Sequence, residues 1–155
     1  MLRAGTLQDM AEIRRLNEQS VRQGTKGFYT DATIQQWTGP FRDWYYPKVF
    51  TEHQAHALTH VDTHEASLRG AGRAIDNEIY FLFVDPKYIG QGIGSNLLLS
   101  LEKEIAKTHR TVTVLSTLNA VPFYTKHGYQ PVKTGGYDIG NGLWLECLEM
   151  SKELI

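Results

Sequence analysis

The chain has 155 residues, of which 41% are apolar and 21% are charged, and its formal net charge is −1. This length is typical of one domain with a sizeable core, so we expect a single domain over residues 1–155. The balanced charge gives no reason to expect a nucleic-acid partner, and no apolar run has the length of a membrane span or the character of a signal peptide. Since the lone Cys147 cannot form an internal disulfide, the sequence favours a cytoplasmic protein with no membrane partner.

The N-terminal part of the chain predicts a short strand and two helices. Leu2–Ala4 is a candidate first strand. Apolar residues recur on one face between Gln8 and Arg22, which predicts a helix there. Thr30 is a candidate N-cap for a second, shorter helix that Gly39 and Pro40 end.

Aromatic residues crowd the segment that follows the second helix. They are Trp37, Phe41, Trp44, Tyr45, Tyr46 and Phe50. Two interpretations remain open at this point. The aromatics either cover one end of the core or form one wall of a substrate pocket, because aromatics in long connections suit ligand sites.

Histidines at positions 53, 56, 60 and 64 come next. On a helix this spacing would form one stripe and indicate a metal site. Residues 57–61, however, favour an edge strand followed by a turn at residues 62–65, and on a strand these histidines spread too far to share one ion. We therefore interpret them as solvated side chains and expect no metal centre.

Three successive strands with short connections are predicted in the middle of the chain, at residues 57–61, Ser67–Ile75 and Glu78–Val84. Short connections indicate an antiparallel meander. The third strand is apolar and aromatic along its length, as expected of a strand buried on both faces.

A glycine-rich loop after the third strand carries the strongest functional signal. Pro86 ends the strand ladder, and Gly90, Gly92 and Gly94 follow it. Apolar residues then recur at helical spacing from Ile93 to Ile105. Glycines let a ligand approach the backbone, and the free N–H groups of a helix N-terminus favour an anion, so the loop predicts a phosphate cradle.

The last third of the chain adds strands and a short helix. A strand at Thr111–Leu115 should run parallel to the third meander strand, because strand–helix–strand crossovers are right-handed. A short helix is predicted from Asn119 to a stop at Gly128. The final strands, Tyr129–Val132 and Leu143–Met150, are predicted to form a hairpin joined by a loose segment, Thr134–Gly142.

Two nucleotide-binding motifs fit the glycine loop poorly. A P-loop requires Gly-Lys-Ser/Thr at its end, and none is present. A Rossmann fingerprint requires its third glycine where Ser95 stands and an acidic residue at the end of the next strand, where Ser116 and Thr117 stand. A nucleotide-binding module therefore remains the weaker alternative.

A third pattern fits two separate blocks of the chain. The first, Val84–Leu98, reads Val-x-Pro-x-x-x-Gly-x-Gly-Ile-Gly-x-x-Leu-Leu, and the second, Asn119–Tyr129, reads Asn-Ala-Val-Pro-Phe-Tyr-Thr-Lys-His-Gly-Tyr. Together they resemble the GNAT superfamily of acetyl-CoA-dependent N-acetyltransferases. The resemblance implies an α+β fold with α/β/α layers, in which a mixed, mostly antiparallel sheet of about seven strands contains one splayed parallel pair.

The resemblance also implies an activity and partners. Members of the family transfer acetyl from acetyl-CoA to a primary amine of a small molecule or peptide, by direct attack in a ternary complex and without a metal. A non-catalytic acyl-CoA-binding module of the same fold is the alternative. Homodimers are common among members of the family, and the sequence leaves both the oligomeric state and the acceptor open.

The implied coenzyme A site combines main-chain and side-chain groups. Backbone amides of the glycine loop would hold the pyrophosphate, and the end of the third meander strand would pair with the pantetheine arm. The implied contacts are Leu82, Phe83, Val84, Ile89, Gly90, Gln91, Gly92, Ile93, Gly94, Ser95, Asn119, Phe123, Tyr124 and Lys126.

Two side chains match catalytic positions of the family. Tyr124 matches the tyrosine that protonates the departing thiolate, although a core tyrosine is the alternative interpretation. Glu78 matches a glutamate that deprotonates the amine, often through water, although a solvated turn residue is the alternative.

Ile89 departs from the family pattern, which usually has Arg or Gln at this position. Isoleucine adds neither charge nor a hydrogen bond to the phosphates, and Lys87 is one candidate replacement. Acceptor contacts are expected from residues 23–31, 37–50 and 134–142, where Asp31, Asp43 or Asp138 would attract a cationic amine.

Overall fold

The computed structural model describes residues 1–43 and 57–155. Its strands form one mixed seven-stranded sheet in the order β1-β2-β3-β4-β5-β7-β6. The strands are β1 Leu2–Ala4, β2 Ala57–His64, β3 Ser67–Ile75, β4 Glu78–Val84, β5 Thr111–Thr117, β6 Gln130–Gly140 and β7 Leu143–Glu153, and the helices are α1 Met10–Gly24, α2 Asp31–Thr38, α3 Ile93–Ile105 and α4 Val121–Lys126. The predicted mixed sheet flanked by helices is confirmed. None of these helices is long and apolar enough to cross a bilayer.

The two central strands separate soon after they start. Strands β4 and β5 are parallel, and they pair only at Glu78 with Thr113 and at Ile79 with Val114. On its other side β4 carries a bulge, since Ile79 and Phe81 oppose consecutive residues of β3 and leave Tyr80 without a partner. A bulge bends a strand and increases its twist. From Tyr80 onward, the β5-facing edge of β4 is therefore open.

Helix α3 packs closely on one face of the sheet because β3 is glycine-rich there. A Cβ at Gly72 would lie 2.8 Å from Cδ1 of Leu101, and one at Gly70 would lie 3.0 Å from Cδ1 of Leu97. These glycines thus permit the close contact between β3 and α3. Strand β3 also carries a bulge, since Gly70 and Leu68 oppose consecutive residues of β2, Asp62 and Thr63, and leave Arg69 without a pairing partner.

Helices α1 and α2 cover the opposite face. Ile13 and Leu16 of α1 are fully buried against Val61, Ala71 and Phe83. Thr30 caps α2 as predicted, since its hydroxyl accepts a hydrogen bond from the N–H of Thr33. Helix α2 contributes Ile34 and Trp37 to a separate hydrophobic cluster with Leu145 and Cys147. The sheet is thus covered by helices on both faces.

The prediction for β2 was wrong in length and position. The strand continues to His64, and β1 pairs with it from Leu2 opposite Asp62 to Ala4 opposite His60, so β2 lies inside the sheet. The reversal falls at Glu65, whose φ is 55°. A pairing partner that lies far away in the sequence leaves no mark on the local pattern of residues 57–64.

The histidines do not gather at one site in the described residues. Nδ1 of His60 lies 2.7 Å from Oγ of Ser100, so this side chain packs on α3, while His64 is exposed. His53 and His56 lie outside the described residues. Within residues 1–43 and 57–155, no group of three or more His, Cys, Asp or Glu side chains could hold a metal ion.

The C-terminal hairpin is much longer than predicted. Strands β6 and β7 pair over most of residues 130–153, so Thr134–Gly142 is not a loose segment. Asn141 and Gly142, with φ values of 55° and 71°, form the two-residue turn between the strands. Asn-Gly is a strong hairpin signal, because both turn residues need positive φ, and it was present in the sequence.

Candidate active site

A cavity opens where β4 and β5 diverge, and it encloses about 920 Å³ including its open mouth. Helix α1 and the end of α2 bound it on one face of the sheet, and α4 bounds it on the other. Its wall includes Asn17, Ser20, Val21, Thr25, Trp37, Phe41, Arg42, Tyr80, Phe81, Leu82, Phe83, Val114, Leu115, Ser116, Thr117, Asn119, Ala120, Tyr124, Tyr137 and Leu145. The divergence of the two strands therefore creates a passage between the faces of the sheet.

The glycine loop forms an anion cradle at the N-terminus of α3. The first helical hydrogen bond runs from the N–H of Asn96 to the carbonyl of Gly92 (3.0 Å), so the N–H groups of Ile93, Gly94 and Ser95 lack a helical partner. Gly90 and Gly92 have φ values of 87° and 81°, and a Cβ at either would meet nothing within 4 Å. These two glycines are needed for their backbone conformation, and the space beside them is open to a phosphate.

The cradle follows directly on β4, whose last residues line the cavity up to Phe83. A Cβ at Gly94 would lie 3.4 Å from Cγ2 of Val84 and 3.5 Å from the ring of Phe123. Val84 and Phe123 thus pack around the loop and do not line the cavity, whereas Leu82 and Phe83 line it. Gln91 is exposed on the loop and Lys126 is exposed on α4.

The residues of the site fit coenzyme A in two respects. The cradle suits a pyrophosphate, and the open edge of β4 can accept the amide groups of a pantetheine arm as an added strand would. Asn119 supports this fit, because it lines the cavity and its Oδ1 is buried without a hydrogen-bond partner. A buried acceptor without a partner costs free energy that an amide donor of a ligand would recover.

Tyr124 lies in the cavity wall and is 4% exposed. It packs edge-on against Phe123 and Tyr129, with ring centroids 5.2 and 5.3 Å away. Burial raises the pKa of Tyr124 well above its ordinary value. The hydroxyl is therefore protonated at neutral pH, as a proton donor must be.

Glu78 lies at the start of β4, opposite Thr113, and is half-buried. Desolvation by burial, and secondarily the nearby carboxylate of Glu149, raise the pKa of Glu78. Glu78 does not belong to the cavity wall, so the structure does not bring it together with Tyr124. A proton would reach Glu78 from the cavity only through intervening water.

Two residues that the sequence did not single out also border the cavity. Arg42 is 1% exposed, lines the cavity and donates a hydrogen bond to Oδ1 of Asn17 on α1. Arg42 and Asn17 meet because residues 40–43 pack beside α1, and no local pattern in the sequence predicts this packing. Trp37 and Phe41, which the sequence did single out, line the cavity, while Trp44, Tyr45, Tyr46 and Phe50 lie outside the described residues.

The carboxylates expected to attract a cationic acceptor do not belong to the described cavity wall. Asp43 pairs with Arg14, Oδ1 of Asp138 accepts a hydrogen bond from the N–H of Gly140, and Asp31 is exposed in the first turn of α2. Lys87, the candidate replacement for the missing polar side chain at position 89, is exposed beside Ile89, which is 68% exposed. Neither side chain forms part of the cavity wall.

Comparison with known proteins identifies the family. The model of the GNAT acetyltransferase domain matches residues 25–154, which is more than half of the chain. The chain belongs to the GNAT acetyltransferase family. The uncharacterized N-acetyltransferase YafP of Escherichia coli K12 is 39% identical over 59 residues, a stretch that covers 38% of this chain and 37% of that protein.

Solved structures of the GNAT family share the fold over nearly the whole chain. A GCN5-related N-acetyltransferase from Rhodopseudomonas palustris is 27% identical with a TM-score of 0.89, and the match covers 99% of this chain and 95% of that one. The PaiA N-acetyltransferase from Thermoplasma acidophilum, solved in complex with coenzyme A, is 22% identical with a TM-score of 0.78 over 99% of this chain and 98% of that one. The family assignment supports acetyl transfer with coenzyme A as the co-substrate.

Gly92→Val is expected to weaken coenzyme A binding at least tenfold. A β-branched residue is strained at φ 81° and its side chain would project into the open space beside the free amides. Gly142→Val is the matched control, since Gly142 also has positive φ and open space but lies in the β6–β7 turn. Both variants should lose stability, and calorimetric titration with coenzyme A should show lost affinity only for Gly92→Val. Equal affinity for the two variants would contradict the cradle.

Proposed function

We propose that this GNAT-family protein is an N-acetyltransferase that transfers acetyl from acetyl-CoA to a primary amine by direct attack in a ternary complex. One arrangement carries the proposal: the end of β4, which leads into the anion cradle, lines a cavity between the diverging β4 and β5 whose wall includes the buried Tyr124. A thioester held along β4 would meet an amine that enters from the α1 and α2 side.

The residues of the chain have separate tasks in this reaction. Acetyl-CoA supplies an activated acetyl group as a thioester. A main-chain N–H of β4 polarises the thioester carbonyl, and Glu78 accepts, through water, the proton that the amine loses as the C–N bond forms. Tyr124 donates its proton to the thiolate as the C–S bond breaks.

Direct transfer is preferred over an acetyl-cysteine intermediate. Cys147 is 1% exposed and is not part of the cavity wall. Burial first, and then the nearby Glu146, raise the pKa of Cys147 to about 12. Because the thiolate is the nucleophile, this cysteine is unsuited to covalent catalysis.

A non-catalytic acyl-CoA-binding module is the second candidate. The position of Glu78 outside the cavity wall favours it, since a binding module needs no base. Both candidates bind coenzyme A, but only the transferase turns over acetyl-CoA.

The deciding experiment combines a binding measurement with a panel of acceptors. The protein is titrated with coenzyme A, then incubated with acetyl-CoA and polyamines, aminoglycosides, amino acids or peptides, and release of the free thiol is followed. Mass spectrometry of the amine verifies transfer. Release with at least one amine supports the transferase. Binding without release across the panel supports the module, and absence of binding contradicts both.

Glu78→Gln is expected to lower kcat/KM by about 10²-fold without lowering stability at pH 7.5. A carboxyl whose pKa is raised in the folded state stabilises the protein below its unfolded pKa, and this stabilisation is lost as the pH rises through the folded pKa. At pH 7.5 the half-buried carboxylate of Glu78 therefore no longer stabilises the folded protein, and its replacement by glutamine should not lower the stability. The measurements are the pH profile of kcat/KM and the thermal unfolding temperature.

Glu65→Gln, an exposed change in the β2–β3 turn, is the control. An unchanged pH profile in Glu78→Gln would remove Glu78 from the role of base. A lower unfolding temperature at pH 7.5 would contradict the stated effect of burial.

A further inference from the structure

A histidine from the second motif reaches the cradle that the first motif forms. His127 follows the last residue of α4, and its Nε2 lies 2.9 Å from Oγ of Ser95, in the first turn of α3. The other ring nitrogen, Nδ1, lies 2.8 Å from the carbonyl oxygen of Phe123. The imidazole also packs on the ring of Phe123, with centroids 4.5 Å apart. Ser95 is thus hydrogen-bonded to an ionisable side chain at the end of another helix.

These two contacts determine where the protons lie. A carbonyl oxygen only accepts, so Nδ1 of His127 must carry a hydrogen. In the neutral imidazole, Nε2 is then an acceptor, and the Ser95 hydroxyl donates to it. In the imidazolium, Nε2–H donates to Ser95, and the Ser95 hydrogen is free to turn toward the open side of the cradle. One proton on His127 therefore reverses the direction of this hydrogen bond.

We propose that His127 is a positioning residue for the coenzyme A pyrophosphate, and that its protonation releases the Ser95 hydroxyl to donate to a phosphate oxygen. This inference rests on the coenzyme A site of the proposed function. The Ser95–His127 pair supplies the cradle with the side-chain hydrogen bond and the positive charge that Ile89 lacks. Hydrogen bonds to a charged group are roughly twice as strong as neutral ones, so the pair should contribute to affinity.

The elements packed beside His127 carry few charged groups near it. Helix α3 carries no charged residue from Ile93 to Leu101, and α4 carries only Lys126. From β7, Lys152 approaches Gly128, where a Cβ would lie 3.7 Å from its Cε, and the charge of Lys152 is paired with Glu102 of α3. An anion at the cradle would therefore be the dominant new charge beside His127, and it would favour the imidazolium.

The test measures the affinity for 3′-dephospho-coenzyme A at pH 6.0 and pH 8.5. This probe keeps the pyrophosphate but lacks the phosphate monoester, which itself changes charge near pH 6. The variants are Ser95→Ala and His127→Gln. The matched control is His109→Gln, because His109 follows the C-terminal end of α3, away from the cradle, and bonds Thr108.

The wild-type protein and His109→Gln are expected to bind about tenfold more tightly at pH 6.0 than at pH 8.5. In His127→Gln, the affinities at the two pH values should agree within about twofold, whereas Ser95→Ala should keep only the smaller pH dependence that the charge of His127 causes. At pH 8.5, Ser95→Ala should match the wild type, because neutral His127 holds the hydroxyl. Titration of the wild type in buffers of different ionisation enthalpy should show proton uptake on binding.

An unchanged pH dependence in His127→Gln would overturn the inference, and so would a loss of affinity in Ser95→Ala that is equal at both pH values. If His127→Gln does not fold, Ser95→Ala decides the question, since an exchange to alanine in the first turn of a helix is mild. Absence of wild-type binding at both pH values would overturn the coenzyme A site itself together with this inference.

Discussion

Tyr124→Phe is expected to lower kcat by about 10²-fold or more, with the affinity for coenzyme A changed by less than about twofold. Phenylalanine keeps the ring that packs against Phe123 and Tyr129 and removes only the hydroxyl. Because the proton is needed only as the thiolate leaves, the loss should fall on kcat. Steady-state kinetics with a competent amine and calorimetric titration with coenzyme A measure the two quantities.

Tyr129→Phe is the matched control for this prediction. Its ring neighbours Tyr124, but its hydroxyl donates to Glu102 on α3 and does not reach the cavity wall. We expect Tyr129→Phe to unfold at a lower temperature with kcat within about twofold of the wild type. An undiminished kcat in Tyr124→Phe would mean that the thiolate leaves without help from this residue, and Tyr124 would then be only a core tyrosine.

Lys152→Met is expected to lower the free energy of unfolding by about 3 kcal/mol. The carboxylate of Glu102 is buried on the last turn of α3, and Nζ of Lys152 on β7 lies 3.0 and 3.1 Å from its two oxygens. Without the lysine, the carboxylate keeps the Tyr129 hydroxyl but loses its balancing charge. The value is at the lower end of the usual range because the Lys152 side chain is still 24% exposed.

Urea denaturation at pH 7 measures the free energy of unfolding. Two further variants test whether the loss in Lys152→Met comes from the unpaired carboxylate of Glu102. The double variant Glu102→Gln with Lys152→Met should be more stable than Lys152→Met alone, because no charge then remains buried. Lys107→Ala removes an exposed, solvent-screened pair with Glu104 and should lower the free energy of unfolding far less than Lys152→Met. If Lys152→Met cost no more than Lys107→Ala, the buried pair would not contribute to stability.

Local patterns predicted the elements that surround the cofactor loop. Strand β4 and helix α3 have strong and different periodicities, and the glycines between them require backbone conformations that other residues adopt poorly. The bounds of β3 and β4 match the prediction, and Gly90 and Gly92 do adopt positive φ. The resemblance to the GNAT family rested on these residues and on the segment Asn119–Tyr129, and the family comparison confirmed it.

Local patterns failed where pairing or packing joins distant parts of the chain. The residues of β2 predict an edge strand, because the pairing of β2 with Leu2–Ala4 cannot be seen in its own residues. The long β6–β7 hairpin was missed, although Asn141-Gly142 signals it, because the glycines and polar residues of β6 resemble a loop. Arg42 and Asn17 border the cavity only because residues 40–43 pack beside α1.

The chemistry of the cofactor loop was predictable from the local sequence: amides freed by glycine, a helix N-terminus and the absence of a polar side chain at Ile89. These are properties of residues close together in the chain, where spacing alone sets the geometry. The tertiary structure was needed to show which groups complement the loop. It closed the cavity around Tyr124, left Glu78 outside the wall and joined His127 to Ser95, 32 positions apart. Such contacts follow from the packing of helices and strands, which no local pattern contains.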